Sequence, residues 1–233
     1  MGKRNVIGNC KQMKKKAVVL FSGGLDSTTV LYYALSKGYE VHCLIFDYGQ
    51  KHKKEIKTAS KIAKRLNLDY NIIKITIPWC KSSLVDKSVK IPEHKIIKEG
   101  YVPTTYVPGR NTIFLSYAVS YAETIKARAI FLGVNAVDFS SYPDCTPSYL
   151  NAMDGVLKAL KNNIKIIAPI EKMSKNGIIK LGLRLKVPYQ YTWSCYNGKK
   201  IPCGTCDSCK LRAKGFEEVG IDDPAIAKKS SRK

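Results

Sequence analysis

One junction does most to limit what this chain can fold into. Ala17–Phe21, AVVLF, is apolar at every position, and it runs through Ser22-Gly23-Gly24-Leu25-Asp26-Ser27 into helical spacing from about Thr28 to Ser36. A run that is apolar throughout, rather than at alternate positions, reads as a strand covered on both faces. Gly38 stops the helix that follows. A buried strand turning directly into a helix is the first half of a strand–helix–strand unit, whose two strands lie parallel.

The pattern then repeats. YEVHCLIF (Tyr39–Phe46) reads as a second strand with Cys43 as a small core residue, and Ile56, Ala59, Ile62, Ala63 and Leu66 recur at helical spacing. NIIKITI (Asn71–Ile77) is a third strand. From Pro78 to Pro108 the periodicity fades among prolines and turn residues. A connection of that length suggests a functional lid or binding loop. Helical spacing returns at Ile113, Phe114, Tyr117, Ala118, Tyr121, Ala122 and Ile125. AIFLG (Ala129–Gly133), a helix over Tyr149–Leu160, IKIIAPI (Ile164–Ile170) and a helix over Gly177–Leu185 complete the series. The expected class is α/β, an open, mostly parallel sheet with helices on both faces. Ligands of such sheets sit at the carboxyl ends of the strands.

Composition sets outer limits. The 233 residues are 45% hydrophobic, enough for a packed core, which excludes wholesale disorder. No run of 18 apolar residues occurs, so no membrane span is expected, and no signal segment is visible; a cytoplasmic location is expected. The net charge of +22 suggests a polyanionic partner. Much of it lies at the ends, however: Lys3, Arg4, Lys11, Lys14, Lys15 and Lys16, then Lys228, Lys229, Arg232 and Lys233. The remaining lysines follow solvated helix faces. The expected organisation is a basic extension over 1–16, an α/β domain over 17–187, a cysteine-bearing segment with a final helix over 188–220, and a basic tail over 221–233.

Two motifs carry chemistry. In SGGLDSTT the glycines let the backbone approach a ligand, and successive N–H groups with a helix N-terminus make an anion site. Ser22, Ser27 and Thr28 add hydroxyls, and Asp26 suits a magnesium ion beside phosphates. No lysine follows, so this is not the G-x-x-x-x-G-K-[ST] loop. The second motif is Cys195-x7-Cys203-x2-Cys206-x2-Cys209. Four thiolates at short spacing in a reducing compartment read as one tetrahedral zinc per chain, closed to substrate and therefore structural. An iron–sulfur cluster is the runner-up.

Further blocks follow in order: Phe46-Asp47-Tyr48-Gly49-Gln50-Lys51-His52, Tyr106-Val107-Pro108-Gly109-Arg110-Asn111, Gly133-Val134-Asn135-Ala136-Val137-Asp138 and Tyr142-Pro143-Asp144-Cys145. Across them, from about Val18 to Phe216, the chain resembles the 7-cyano-7-deazaguanine synthase family of PP-loop ATPases. It departs from that pattern at Lys51 (arginine is usual), Ser141 (glycine) and Thr146 (arginine). The resemblance implies an ATP-dependent ligase that converts 7-carboxy-7-deazaguanine and ammonia to the nitrile through an adenylated carboxylate and an amide. That product feeds queuosine and archaeosine biosynthesis.

By the same resemblance, ATP is expected at Phe21, Ser22, Gly23, Gly24, Leu25, Asp26, Ser27, Thr28, Thr29, Val30 and Leu31, with Mg2+. Asp26, Ser27 and Arg110 are the expected catalytic residues. Arg110 offers a fork suited to a carboxylate or phosphate. Gln50, His52, Asn111, Asp138 and Asp144 are expected at the substrate, where Asp138 or Asp144 would accept from the deazaguanine N1–H and amine. A homodimer without membrane or stable nucleic-acid partner is implied. Two other readings compete. A PP-loop enzyme that modifies tRNA directly would use the charge. A non-enzymatic zinc-knuckle nucleic-acid binder would leave the SGGLDS loop unexplained.

Overall fold

The computed structural model of the chain describes residues 14–92, 102–136 and 142–226. Five strands, β1 (Lys16–Leu20), β2 (Glu40–Asp47), β3 (Asp69–Lys74), β4 (Ala129–Phe131) and β5 (Lys165–Ile167), form one sheet in the order β3-β2-β1-β4-β5. Every pairing is parallel, with Ala17 opposite Val41 on one side and Ala129 on the other. Six α-helices accompany it among the described residues: α1 (Leu25–Ser36), α2 (Lys54–Arg65), α3 (Arg110–Thr124), α4 (Pro147–Ala159), α5 (Lys175–Arg184) and α6 (Asp207–Val219). None of the helices among the described residues is long and apolar enough to cross a membrane.

The all-apolar first strand explains itself in the packing. Ala17, Val19 and Phe21 face a layer holding Leu31 of α1, Ile62 of α2, Ile178 of α5 and Phe216 of α6. Val18 enters the opposite layer, with Leu115 and Ala122 of α3 and Leu157 of α4. Chain direction dictates this division. Right-handed crossovers place α1 and α2 on one face while the chain moves from β1 to β3, and α3 and α4 on the other once it doubles back to β4 and β5. The direction changes between β1 and β4. A crevice opens at such a switch point.

Element order matches the sequence expectation, and the boundaries shift for local reasons. Helix α1 begins at Leu25 rather than Thr28 because its first turn is polar and follows the cradle loop. Strand β3 occupies Asp69–Lys74, two residues earlier than its apolar run, and Ile77 instead turns into the core beneath the long connection. That connection is tied together where described: Ser83 N–H donates to Thr104 O at 2.7 Å, and Lys51 N–H donates to Leu84 O at 2.9 Å. Cys43 is buried in β2.

Candidate active site

At the carboxyl ends of β1, β2 and β4 lies a cavity of about 280 Å³, near the lower end for small-molecule pockets. Its floor is the first loop. Gly23 adopts φ +75, and a Cβ there would stand 2.6 Å from Ala59 N in α2, so only glycine fits. Gly23→Ala is expected to cost about 2 kcal/mol in strain, read as a lowered midpoint in denaturant unfolding. Gly24 N-caps α1 without a side-chain cap, so the first-turn N–H groups keep their capacity to bind an anion. The Ser22 and Ser27 hydroxyls lie 3.0 Å apart across this turn. From the other side, a Cβ on Gly133 would come within 3.2 Å of Ser27 N, so the loop after β4 closes tightly on the helix start.

Apart from Gly23, which packs against α2, the eleven-residue run expected at ATP divides in two. Phe21, Ser22, Gly24, Leu25, Asp26 and Ser27 line the cavity. Thr28, Thr29, Val30 and Leu31 are fully buried within α1. Thr28 Oγ1 donates to Gly24 O at 2.6 Å, and Thr29 Oγ1 pairs with the Tyr189 hydroxyl at 2.8 Å. These hydroxyls hold the helix to its surroundings.

Asp26 does not stand alone. Lys175 Nζ, in the first turn of α5, lies 2.8 Å from both of its carboxylate oxygens. Asn135 Nδ2 reaches the same carboxylate at 3.4 Å. Arg110, which also lines the cavity, opens α3 behind Gly109, whose φ of 64 makes the turn. Its Nη1 lies 3.4 Å from the Tyr48 hydroxyl, and its guanidinium stands 5.6 Å from the Tyr48 ring centre. Tyr48 is buried, and desolvation raises its pKa, so its hydroxyl stays neutral.

The expected substrate contacts take varied positions. Asn111 and Asp144 are joined: Asn111 N–H donates to Asp144 Oδ2, and Asn111 Nδ2 donates to Asp144 O, each at 2.9 Å. Asn111 lines the cavity; Asp144, buried behind it, does not. Gln50 lines the cavity, yet its amide clamps the end of β2, accepting from Tyr48 N–H at 2.9 Å and donating to Phe46 O at 3.2 Å. His52 also lines the cavity and packs under Gly198, where a Cβ would meet the imidazole. Burial lowers its pKa, partly offset by a hydrogen bond to the Tyr196 backbone. Asp138 and Ser141 lie outside the described residues. Thr146, at a departure from the family pattern, N-caps α4, accepting from Tyr149 N–H at 3.2 Å.

The four cysteines converge. Their sulfurs all lie within 4.8 Å of one another. A tetrahedral ion with bonds of about 2.3 Å needs sulfurs about 3.8 Å apart, and Cys203 and Cys209 already lie 4.0 Å apart. Backbone N–H groups of Asn197 and Cys203 point at Cys195 Sγ at 3.4 and 3.3 Å, and Cys206 N–H points at Cys203 Sγ at 3.3 Å, donors that favour thiolates. This donor set fits a metal ion.

Residues 16–220 match the family described as queuosine biosynthesis protein QueC. The chain belongs to that family. Among its relatives, the 7-cyano-7-deazaguanine synthase of Thermoplasma volcanium is 50% identical over 218 residues, covering 91% of this chain and 90% of that protein. The enzyme of the same name from Picrophilus torridus is 53% identical over 214 residues, covering 89% and 90%. In fold, the chain resembles NMN synthetase from Francisella tularensis, with a TM-score of 0.50 at 17% identity over 90% of this chain and 79% of that one.

In this QueC-family chain, several site residues carry no motif signal of their own. Lys175 could have been sought as the first helical residue after a strand's carboxyl end. Trp193 gave no signal. Its N–H donates to Gly23 O at 3.0 Å, its indole Nε1 donates to Cys195 O at 2.8 Å, and Lys54 Nζ lies 4.4 Å from its ring centre. One residue thus bridges the first loop to the cysteine cluster. Behind it, buried Arg212 donates to both oxygens of Asp223, at 2.6 and 2.8 Å, and to Thr192 Oγ1 at 2.7 Å, fixing α6 to the segment.

Proposed function

We propose that the chain is an ATP-dependent ligase converting 7-carboxy-7-deazaguanine and ammonia to 7-cyano-7-deazaguanine, within queuosine and archaeosine biosynthesis. The observation that carries the reading is one cavity lined both by the Ser22–Ser27 loop at a helix start and by the Arg110 guanidinium. In this reading the first-turn N–H groups of α1 and the Ser22 and Ser27 hydroxyls hold the phosphates of ATP. Arg110 holds the substrate carboxylate, aimed at the α-phosphorus. Its oxygen displaces pyrophosphate, ammonia displaces AMP to give the amide, and a second adenylation removes the remaining oxygen as AMP. Positioning and charge carry such a reaction.

Magnesium would neutralise phosphate charge, and Asp26 suits it because carboxylate lone pairs remain beside Lys175. Lys175 and Asp26 would then set the charge along the pyrophosphate edge. The cysteines would hold one structural Zn2+. We place the enzyme in the cytoplasm, where thiolates stay reduced, as a homodimer without a nucleic-acid partner.

The test is product identification. Given the carboxylate, ATP, magnesium and ammonium, the protein is expected to release AMP and pyrophosphate, and mass spectrometry under limiting ATP should find amide before nitrile. Formation of neither, with tRNA modified instead when a sulfur donor is supplied, would overturn the reading. Arg110→Ala is expected to raise KM for the carboxylate about 10- to 100-fold, the loss of a charge-assisted fork of about 1.5–3 kcal/mol. KM for ATP should change far less. Steady-state kinetics with each substrate varied decides it.

A further inference from the structure

Two carboxylates line the cavity among the described residues, and they are in opposite states. Asp26 is clamped by Lys175. Glu55 has no hydrogen bond or ion pair within the described residues, although it faces the same space. It lies in the first turn of α2, one turn before Ala59, whose backbone abuts Gly23 of the cradle. It also feels the charge of Arg110. Glu55 therefore shares one cavity with the first loop and with the Arg110 guanidinium.

That position is unsuited to binding either anion, which a carboxylate repels. It suits a small cation that must give up a proton. The second substrate of the proposed reaction reaches neutral solution as ammonium, which has no lone pair until one N–H bond is broken. We infer that Glu55 binds the incoming ammonium and acts as the general base that frees its lone pair for attack on the adenylated carboxylate.

One proton passes from nitrogen to a Glu55 oxygen, and the nitrogen lone pair forms the C–N bond. The C–O bond to AMP breaks with its electron pair, and the second proton leaves the new ammonium centre with the departing phosphate. Nothing is oxidised or reduced. This inference rests on the ligase reading above.

The electrostatics agree with the geometry. Burial pushes the Glu55 carboxyl up to about 7, with Arg110 pulling it part of the way back. A base works best when its pKa is close to the operating pH. Of the other groups around it, Tyr48 stays neutral, burial keeps His52 below its usual range, and Asp26 and Lys175 offset one another.

Glu55→Gln preserves shape and removes the base. Three readouts locate its effect: carboxylate-dependent exchange of labelled pyrophosphate into ATP, amide formation from ammonium, and hydroxamate formation from hydroxylamine. Hydroxylamine is largely uncharged at neutral pH and needs no deprotonation before it attacks. The variant is expected to keep exchange and hydroxamate formation within about 3-fold of wild type while amide formation falls about 100-fold or more. Glu55→Asp, which retains a carboxylate, should recover part of the amide rate. Retained exchange also shows that the variant is folded. Loss of exchange together with amide would overturn the inference, because Glu55 would then serve the nucleotide or its metal. An equal fall of amide and hydroxamate, or no fall at all, would overturn it too. A wild-type enzyme showing no exchange would sink the ligase reading, and this assignment with it.

Discussion

Asp26→Ala is expected to lower AMP release about 1,000-fold or more while leaving the fold in place. The carboxylate holds Lys175 Nζ by two contacts of 2.8 Å at the mouth of α1, so its loss removes an anion suited to magnesium and frees the ammonium that it orients. Single preorganised groups facing developing charge are worth about 10²–10³-fold, and here two are disturbed together. The structural cost is small, because Asp26 is partly exposed and an acid in a first helical turn contributes about 0.5 kcal/mol. Asp26→Asn, matched in shape, should show nearly the same loss, which separates charge from packing. A folded Asp26→Ala enzyme releasing AMP at the wild-type rate would remove the loop from the chemistry.

Cys206→Ser is expected to release the metal and lower the melting temperature by about 10 °C or more, the shift that several kcal/mol produce in a domain of this size. Cys206 is fully buried and N-caps α6, so the lost thiolate also loosens the start of that helix. Binding at a structural site is coupled to folding, and three remaining thiolates hold zinc weakly. Elemental analysis should find about one zinc per wild-type chain and little in the variant. The effect should also reach the nucleotide, because Trp193 joins Cys195 to Gly23. KM for ATP should rise in chelator-treated wild type as well. A metal-free variant melting at the wild-type temperature would deny the cluster its structural role.

Much of the fold could be read in the sequence because its strands announce themselves. A run such as AVVLF has no polar face, which only a two-sided layer satisfies, and the structure puts Val18 and Val19 in opposite cores. The tight turn after β1 was equally visible, since Gly23 has a φ that other residues rarely adopt. Spacing alone could not tell which polar side chains would be consumed locally. Gln50 sits in a motif, yet its amide binds the backbone of its own turn; Asn111 and Asp144, expected as separate substrate contacts, bind each other. Nor could it find partners brought from afar. Lys175 reaches Asp26 across 149 positions, and Trp193 reaches Gly23 through a backbone hydrogen bond to which sequence is blind.

The cavity wall also has a consequence for how the protein is made. Its floor comes from residues in the twenties, while Trp193, Ser194, Tyr196 and Ser208 close one side. A ribosome adding about 5–20 residues per second needs roughly ten to forty seconds to travel from the first of these to the last. Throughout that interval the nascent chain carries the whole SGGLDS loop, and β1 waits for β4, its partner more than a hundred positions later. Translation halted before Trp193 therefore yields the SGGLDS loop without the residues that close that side of the cavity.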